Sequence, residues 1–169
     1  FSIGLGHRRL SIIDLSEAGT QPMRFKNYVL VYNGEVYNFQ EIRKRLIANG
    51  RKFTSNSDSE VILQAYDEWG KECVKEFIGM FVFVIYDELS NNIFFARYRA
   101  GVKPLFWYFS DGLFLFASEL KAICAHSSFP KKLNHSAVST FMQFGYVPTP
   151  HCIFENVYKL EPGHLLNFE

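Results

Sequence analysis

The sequence lacks the marks of several large protein classes. Its longest unbroken apolar run, Met80 to Tyr86, has seven residues. That is far short of the roughly 20 needed for a membrane-spanning helix. It has no excess of either charge sign, with 18 Lys and Arg against 17 Asp and Glu and a net charge of +1. No basic run occurs, so composition makes no case for a nucleic-acid partner or a membrane surface. No basic-then-apolar leader opens the chain. Cysteine is scarce: Cys73, Cys124 and Cys152 are odd in number and widely spaced. They suit neither a disulfide framework nor a zinc site, and each is read as structural. His7, His126, His135, His151 and His164 show no metal-ligand spacing and are read as surface or packing residues. There is no repeat and no low-complexity segment. A reducing, cytoplasmic setting is expected. Phe1 to Gly6 already reads as a strand in progress and there is no initiator Met, so a segment upstream is expected.

What is abundant is apolar and aromatic: 48% and 17% of 169 residues, with 18 Phe. This suits one domain, residues 1–169, built from thick layers of packed sheet. Phe1 to Leu5 should be a strand, Arg8 to Ile13 extended, and Asp14 to Gln21 a polar loop. Phe39, Ile42 and Leu46 form the apolar stripe of a helix from Asn38 to about Asn49, stopped by Gly50. Ser57 opens a second helix that Gly70 ends, and Lys71 to Phe77 reads as a further short helix. Gly79 to Asp87 is a strand apolar on both faces, hence interior. Ile93 to Arg97 returns as its partner. Pro104 to Phe109 and Leu113 to Ala117 form a hairpin across Asp111-Gly112. Helices follow at Ser118 to Ala125 and from Asn134 or Ser136 to about Phe144, with short strands near Ile153 and Leu165. Strands joined by tight turns, with helices grouped apart, imply antiparallel sheets and an α+β fold.

The stretch Tyr28 to Asn38 carries the chemistry. It starts as a β-branched and aromatic strand, then breaks at Asn33-Gly34. Asn33 offers an amide donor, Gly34 an uncovered N–H and Glu35 a carboxylate. Two adjacent donors suit an oxyanion and a carboxylate suits an ammonium group. The same dipeptide is also the commonest hairpin turn.

Other motifs frame it in order: Gly6-His7-Arg8-Arg9-Leu10-Ser11-Ile12-Ile13-Asp14-Leu15-Ser16, Ser57-Asp58-Ser59-Glu60-Val61-Ile62-Leu63, Gly79-Met80-Phe81-Val82-Phe83, Lys103-Pro104-Leu105 and Ala117-Ser118-Glu119-Leu120-Lys121. Together with Asn33-Gly34-Glu35-Val36-Tyr37-Asn38 they resemble the glutaminase domain of glutamine-hydrolysing asparagine synthetases, class II glutamine amidotransferases, across nearly the whole chain. The resemblance implies a four-layer αββα sandwich of the N-terminal-nucleophile type. It implies that L-glutamine is hydrolysed by an N-terminal cysteine whose α-amine serves as base. The ammonia would pass to the protein's own C-terminal synthetase domain, which amidates aspartate with ATP and Mg. The glutaminase domain itself would need no cofactor. By motif match Arg9 should bind the glutamine α-carboxylate, with Leu10, Ser11, Ile12 and Ile13 lining the pocket. Asn33 and Gly34 should form the oxyanion hole, and Glu35 and Asp58 should hold the α-ammonium.

Three departures stand out. The family's opening Cys-Gly-Ile and its following Arg-Gly-Pro-Asp are absent, so a chain truncated at its N-terminus, and inactive as it stands, is expected. No Ser-Gly-Gly-x-Asp-Ser phosphate loop occurs, so the ATP-using domain is not in these residues. Tyr98, between Arg97 and Arg99, replaces the family's aspartate and removes an ion-pair partner. Rival readings are a paralogue that passes ammonia to a sugar, a peptide or a β-lactam precursor, and a non-catalytic domain that binds glutamine or a partner. A homodimer stays open.

Overall fold

The apolar runs become strands and the 3.6-residue stripes become helices. A computed structural model of the chain describes residues 2–9 and 16–169. The strands are β1 (Met23–Phe25), β2 (Tyr28–Val36), β3 (Gly79–Asp87), β4 (Asn92–Arg97), β5 (Phe106–Ser110), β6 (Leu113–Ala117), β7 (Val157–Lys159) and β8 (Leu165–Phe168). The α-helices are α1 (Phe39–Ala48), α2 (Asp58–Trp69), α3 (Leu120–Ala125) and α4 (His135–Phe144). One antiparallel sheet has the order β1-β2-β3-β4-β8 and the other β6-β5-β7.

Alternation along the strands sorts their side chains into layers. Leu30, Tyr32, Phe81, Phe83, Ile85 and Phe94 pack under Phe39, Ile42 and Leu46 of α1 and Val61, Ile62 and Ala65 of α2. Val31, Val82, Val84 and Phe95 point the other way, against Trp107, Phe114 and Phe116 of the second sheet. The far side of that sheet, through Tyr108 and Val157, is closed by Ile123 of α3 with Phe129 and Cys152. Three apolar layers between two sheets and their helices make an αββα sandwich, as expected. β3 is buried on both faces, also as expected.

Several local expectations change. Asn33-Gly34 is not a break: β2 runs through it and stays in register with β3 from Tyr28↔Asp87 to Val36↔Gly79. Phe1 lies outside the described residues, and Ser2 to Leu5 form no ladder. They are extended, with Ile3 and Leu5 packed on the inter-sheet layer. Alternation alone therefore produces an extended segment without a strand. Gly70–Glu76 is a 3-10 helix, and Glu17–Gly19 adds a short one in the expected loop. The strand placed near Ile153 falls at Val157–Lys159, and only single bridges, Leu133 to Phe154 and His151 to Tyr158, form in the preceding segment. The Asp111-Gly112 hairpin is as expected, with positive φ at both residues.

The start of α2 is fixed by a buried carboxylate. Glu60 is 6% exposed. It accepts from Thr54 N (2.9 Å), Ser55 N (2.7 Å) and Ser55 Oγ (2.6 Å). Ser57 caps the helix by accepting from Ser59 N. Burial alone would raise the Glu60 pKa, but the Ser55 and Thr54 donors outweigh it and hold the carboxyl below its ordinary 4.5. A depressed folded value stabilises the fold above the unfolded value, and this is lost as pH falls through the folded one. Glu60→Gln should therefore cost about 1–3 kcal/mol at neutral pH. Denaturant melts at pH 7 and pH 3 should show the gap from wild type closing at the lower pH. An equal gap at both would refute the assignment.

Candidate functional site

The site begins where β1 stops. β1 pairs with β2 only from Tyr28 to Leu30, and β2 continues to Val36 with β3 on its other side. The freed edge of β2 must satisfy its own N–H groups. Tyr32 N donates to Gln21 Oε1 at 2.7 Å and Val36 N to Asp58 Oδ2 at 3.1 Å. Gly34 lies midway between them, and backbone alternation aims its N–H at the same edge. A cavity of about 190 Å³ opens there, walled by Arg9, Asn33, Gly34, Glu35, Asp58 and Lys103 among others.

Gly34 has φ +139°, and a Cβ on it would lie 2.0 Å from the Met80 carbonyl oxygen. The glycine serves close approach of two strands, not a turn. Asn33 faces the inter-sheet side, where its Nδ2 donates to Ser118 Oγ at 3.3 Å. Tyr32, on the opposite face, donates its hydroxyl to Asp58 Oδ2 at 2.6 Å. Asp58 is 5% exposed, and burial raises its carboxyl pKa despite these donors. Burial and then Asp58 push the Tyr32 hydroxyl far up, so it remains a neutral donor.

Arg9 is held to the Glu17–Gly19 turn, with Nη1 donating to Ser16 O at 2.8 Å. Its guanidinium lies so close to Gly19 that a Cβ there would come within 2.3 Å of Nη2. Arg9, Asn33, Gly34, Glu35 and Asp58 thus meet at one cavity, as their motifs suggested. Leu10, Ser11, Ile12 and Ile13 lie outside the described residues.

Other wall residues escaped sequence reasoning. Gln21 ties β2 to α2, accepting from Tyr32 N and donating from Nε2 to Ser59 Oγ. His7 was read as surface or packing, yet it is half-buried in the wall, and its Nδ1 has no hydrogen-bond partner among the described residues. Burial, and to a lesser extent Arg9, lowers its pKa, with a hydrogen bond to the Tyr32 backbone opposing, so the ring is neutral. Only their place inside quoted motifs could have flagged His7 and Lys103. Nothing in the sequence flags Gln21.

Among the described residues no cysteine lines the cavity. Cys73 is in the layer under α1 and α2, where burial and then Glu72 push its thiol up to about 12. Cys124 and Cys152 pack in the outermost layer. Among the described residues no cluster of three His, Cys, Asp or Glu could hold a metal, and no helix is long and apolar enough to cross a membrane. The cavity offers cations, carboxylates and neutral donors within one small volume. That set matches a small zwitterion with a polar side chain.

The family model described as glutamine amidotransferase domain matches residues 2–169. The chain is 40% identical to glutamine-hydrolysing asparagine synthetase 3 of Bacillus subtilis, over 96% of this chain and 27% of that protein. It is 36% identical to glutamine-hydrolysing asparagine synthetase 1 of the same organism, over 95% of this chain and 26% of that protein. It therefore spans about a quarter of the length of these curated relatives. Among solved structures, glutamine phosphoribosylpyrophosphate amidotransferase of Bacillus subtilis aligns with a TM-score of 0.65 at 21% identity. That alignment covers 95% of this chain and 31% of the other, and it supports the layered fold. Fold, motif order and family model agree: the chain belongs to the glutamine amidotransferase domain family.

Proposed function

We propose that this domain binds L-glutamine in the β2-edge cavity and hydrolyses its amide, supplying ammonia for ATP-dependent amidation of aspartate by a synthetase region of the same protein. The observation that carries the reading is the convergence of Arg9, Asn33, Gly34, Glu35 and Asp58 on one cavity. Arg9 takes the α-carboxylate as a forked pair. Glu35 and Asp58 take the α-ammonium, with Asp58 steadied by Tyr32 and Val36. The Asn33 amide and the Gly34 N–H serve the amide oxygen. ATP and Mg belong to the synthetase region. Among the described residues none of the three cysteines lines the cavity, and the family resemblance assigns the attacking thiol to an N-terminal cysteine. The names of the 40% and 36% identical relatives support aspartate as acceptor.

Arg9→Ala in the full-length enzyme tests the reading. A charge-assisted pair is worth about 1.5–3 kcal/mol, so glutamine-dependent kcat/KM should fall roughly 10–100-fold. Ammonia-dependent synthesis bypasses the cavity and should hold. Lysine should rescue poorly, because it lacks the planar fork. Equal losses with both nitrogen sources would place Arg9 in folding instead.

A further inference from the structure

We propose that Lys103 is a further cation of the glutamine site, one that stabilises the charge developed during amide cleavage, and that Arg97 positions it. The inference rests on the glutamine reading above and deepens it. It starts from the register. Asn33 pairs with Val82, and Val82 pairs with Arg97. The three form one row across the sheet, so Arg97 issues on the same inter-sheet face as Asn33, two strands away, or roughly 10 Å.

Arg97 is a half-buried cation with no ion pair among the described residues. Its Nε donates to Lys103 O at 2.8 Å and its Nη2 to Gly101 O at 2.6 Å, while Nη1 reaches Leu160 O. Burial lowers its pKa, so the charge sits there at a cost met only by carbonyl dipoles. What the cost secures is the 101–103 segment, clamped between the end of β4 and the chain at Leu160. That segment carries Lys103 into the wall of the cavity that Asn33, Gly34 and Met80 also line. Among the described residues Lys103 Nζ forms no salt bridge.

Charge balance gives the role. Among the described residues that line the wall, the cations Arg8, Arg9 and Lys103 outnumber the carboxylates Glu35 and Asp58 by one, the His7 ring being neutral. Bound glutamine is a zwitterion with no net charge. When the thiol proton passes to the α-amine and sulfur bonds to the amide carbon, the C=O π pair moves onto oxygen. When the intermediate collapses, that pair returns, the C–N bond breaks, and the nitrogen takes the proton back from the ammonium and leaves as ammonia. Negative charge on the amide oxygen is thus greatest at the intermediate, and a positive charge in the cavity wall favours that state over the ground state. Without Lys103 the described wall residues carry no surplus cation, and the preference is lost.

The test is glutamate release by the full-length enzyme carrying Lys103→Met, Lys103→Arg or Arg97→Lys, beside a melting curve. Lys103→Met should lower kcat by about tenfold or more with KM within about threefold. Lys103→Arg should recover most of it. Arg97→Lys, which cannot span three carbonyls, should reproduce the kcat loss. A raised KM at unchanged kcat would make Lys103 a ground-state contact and overturn the inference. So would a kcat loss that tracks the melting temperature and that Lys103→Arg fails to relieve. Asn33→Ala separates the two readings. If it cripples turnover while Lys103→Met does not, only the Lys103 role falls; if neither variant matters, the glutamine site falls with it.

Discussion

Asn33→Ala in the full-length enzyme should lower glutamine-dependent turnover by about 10²–10³, or roughly 2.7–4 kcal/mol of transition-state stabilisation. Glutamine affinity should change far less, because the ground-state carbonyl carries little of the charge the donor serves. Ammonia-dependent synthesis should survive. The structure sharpens the expectation in two ways. Asn33 is inside a continuous strand, so alanine removes an amide without opening a turn. One of its two N–H donors is engaged by Ser118, which fixes the amide plane; under the proposed function the other serves the amide oxygen. Steady-state kinetics with each nitrogen source, beside a melting curve, decide the matter. Glutamine turnover within about threefold of wild type would make Asn33 a strut between the sheets and nothing more.

The next residue should matter to the fold itself. Gly34→Ala places a methyl group 2.0 Å from the Met80 carbonyl oxygen and 2.6 Å from Phe81 Cα, at φ +139°. Both obstacles are backbone in the middle of a ladder, so neither can step aside as a side chain would. Strain and overpacking each cost about 1–3 kcal/mol, which together make roughly 2–6 kcal/mol. For a domain of this size that is a fall of about 4–24 °C in melting temperature. Gly50 is the control: its φ is +86° but a Cβ there meets nothing within 4 Å. Gly50→Ala should cost only the backbone term, about 1 kcal/mol. Equal shifts for the two variants would show that close approach to Met80 is unimportant.

The contrast explains what was legible in the sequence. Local patterns sufficed for β3, whose continuous apolar run requires burial on both faces, and for the Asp111-Gly112 hairpin. They sufficed for α1 and α2, whose stripes and glycine stops are written in the chain. The candidate site was legible only as motif order, since Arg9, Asn33 and Asp58 are brought together by long-range pairing. Asn33-Gly34 misled because the same dipeptide that favours a tight turn also lets two strands crowd together, and which applies depends on a residue 46 positions further along the chain, Met80. Gln21 was invisible for the same reason: its partners, the Tyr32 N–H and the Ser59 hydroxyl, become neighbours only when β1 ends short. Tyr98 had suggested a lost ion pair beside Arg97. The structure puts its ring on Phe81 at 5.0 Å and its neighbour Arg99 over that ring at 5.4 Å.

The placement of the candidate donors on β2 has a bearing on motion. β2 and β3 belong to two apolar layers at once, with Tyr32 and Phe83 in one and Val31 and Val82 in the other. A strand wedged between two dry layers cannot open by fraying; it opens when the domain does. The wall made by Asn33 and Gly34 therefore keeps its shape whether or not anything is bound, and a ligand meets donors already aimed. Adaptability is left to the opposite wall, where Arg9 rests on the Glu17–Gly19 turn, which belongs to neither sheet. The cavity is a fixed template facing a compliant hand.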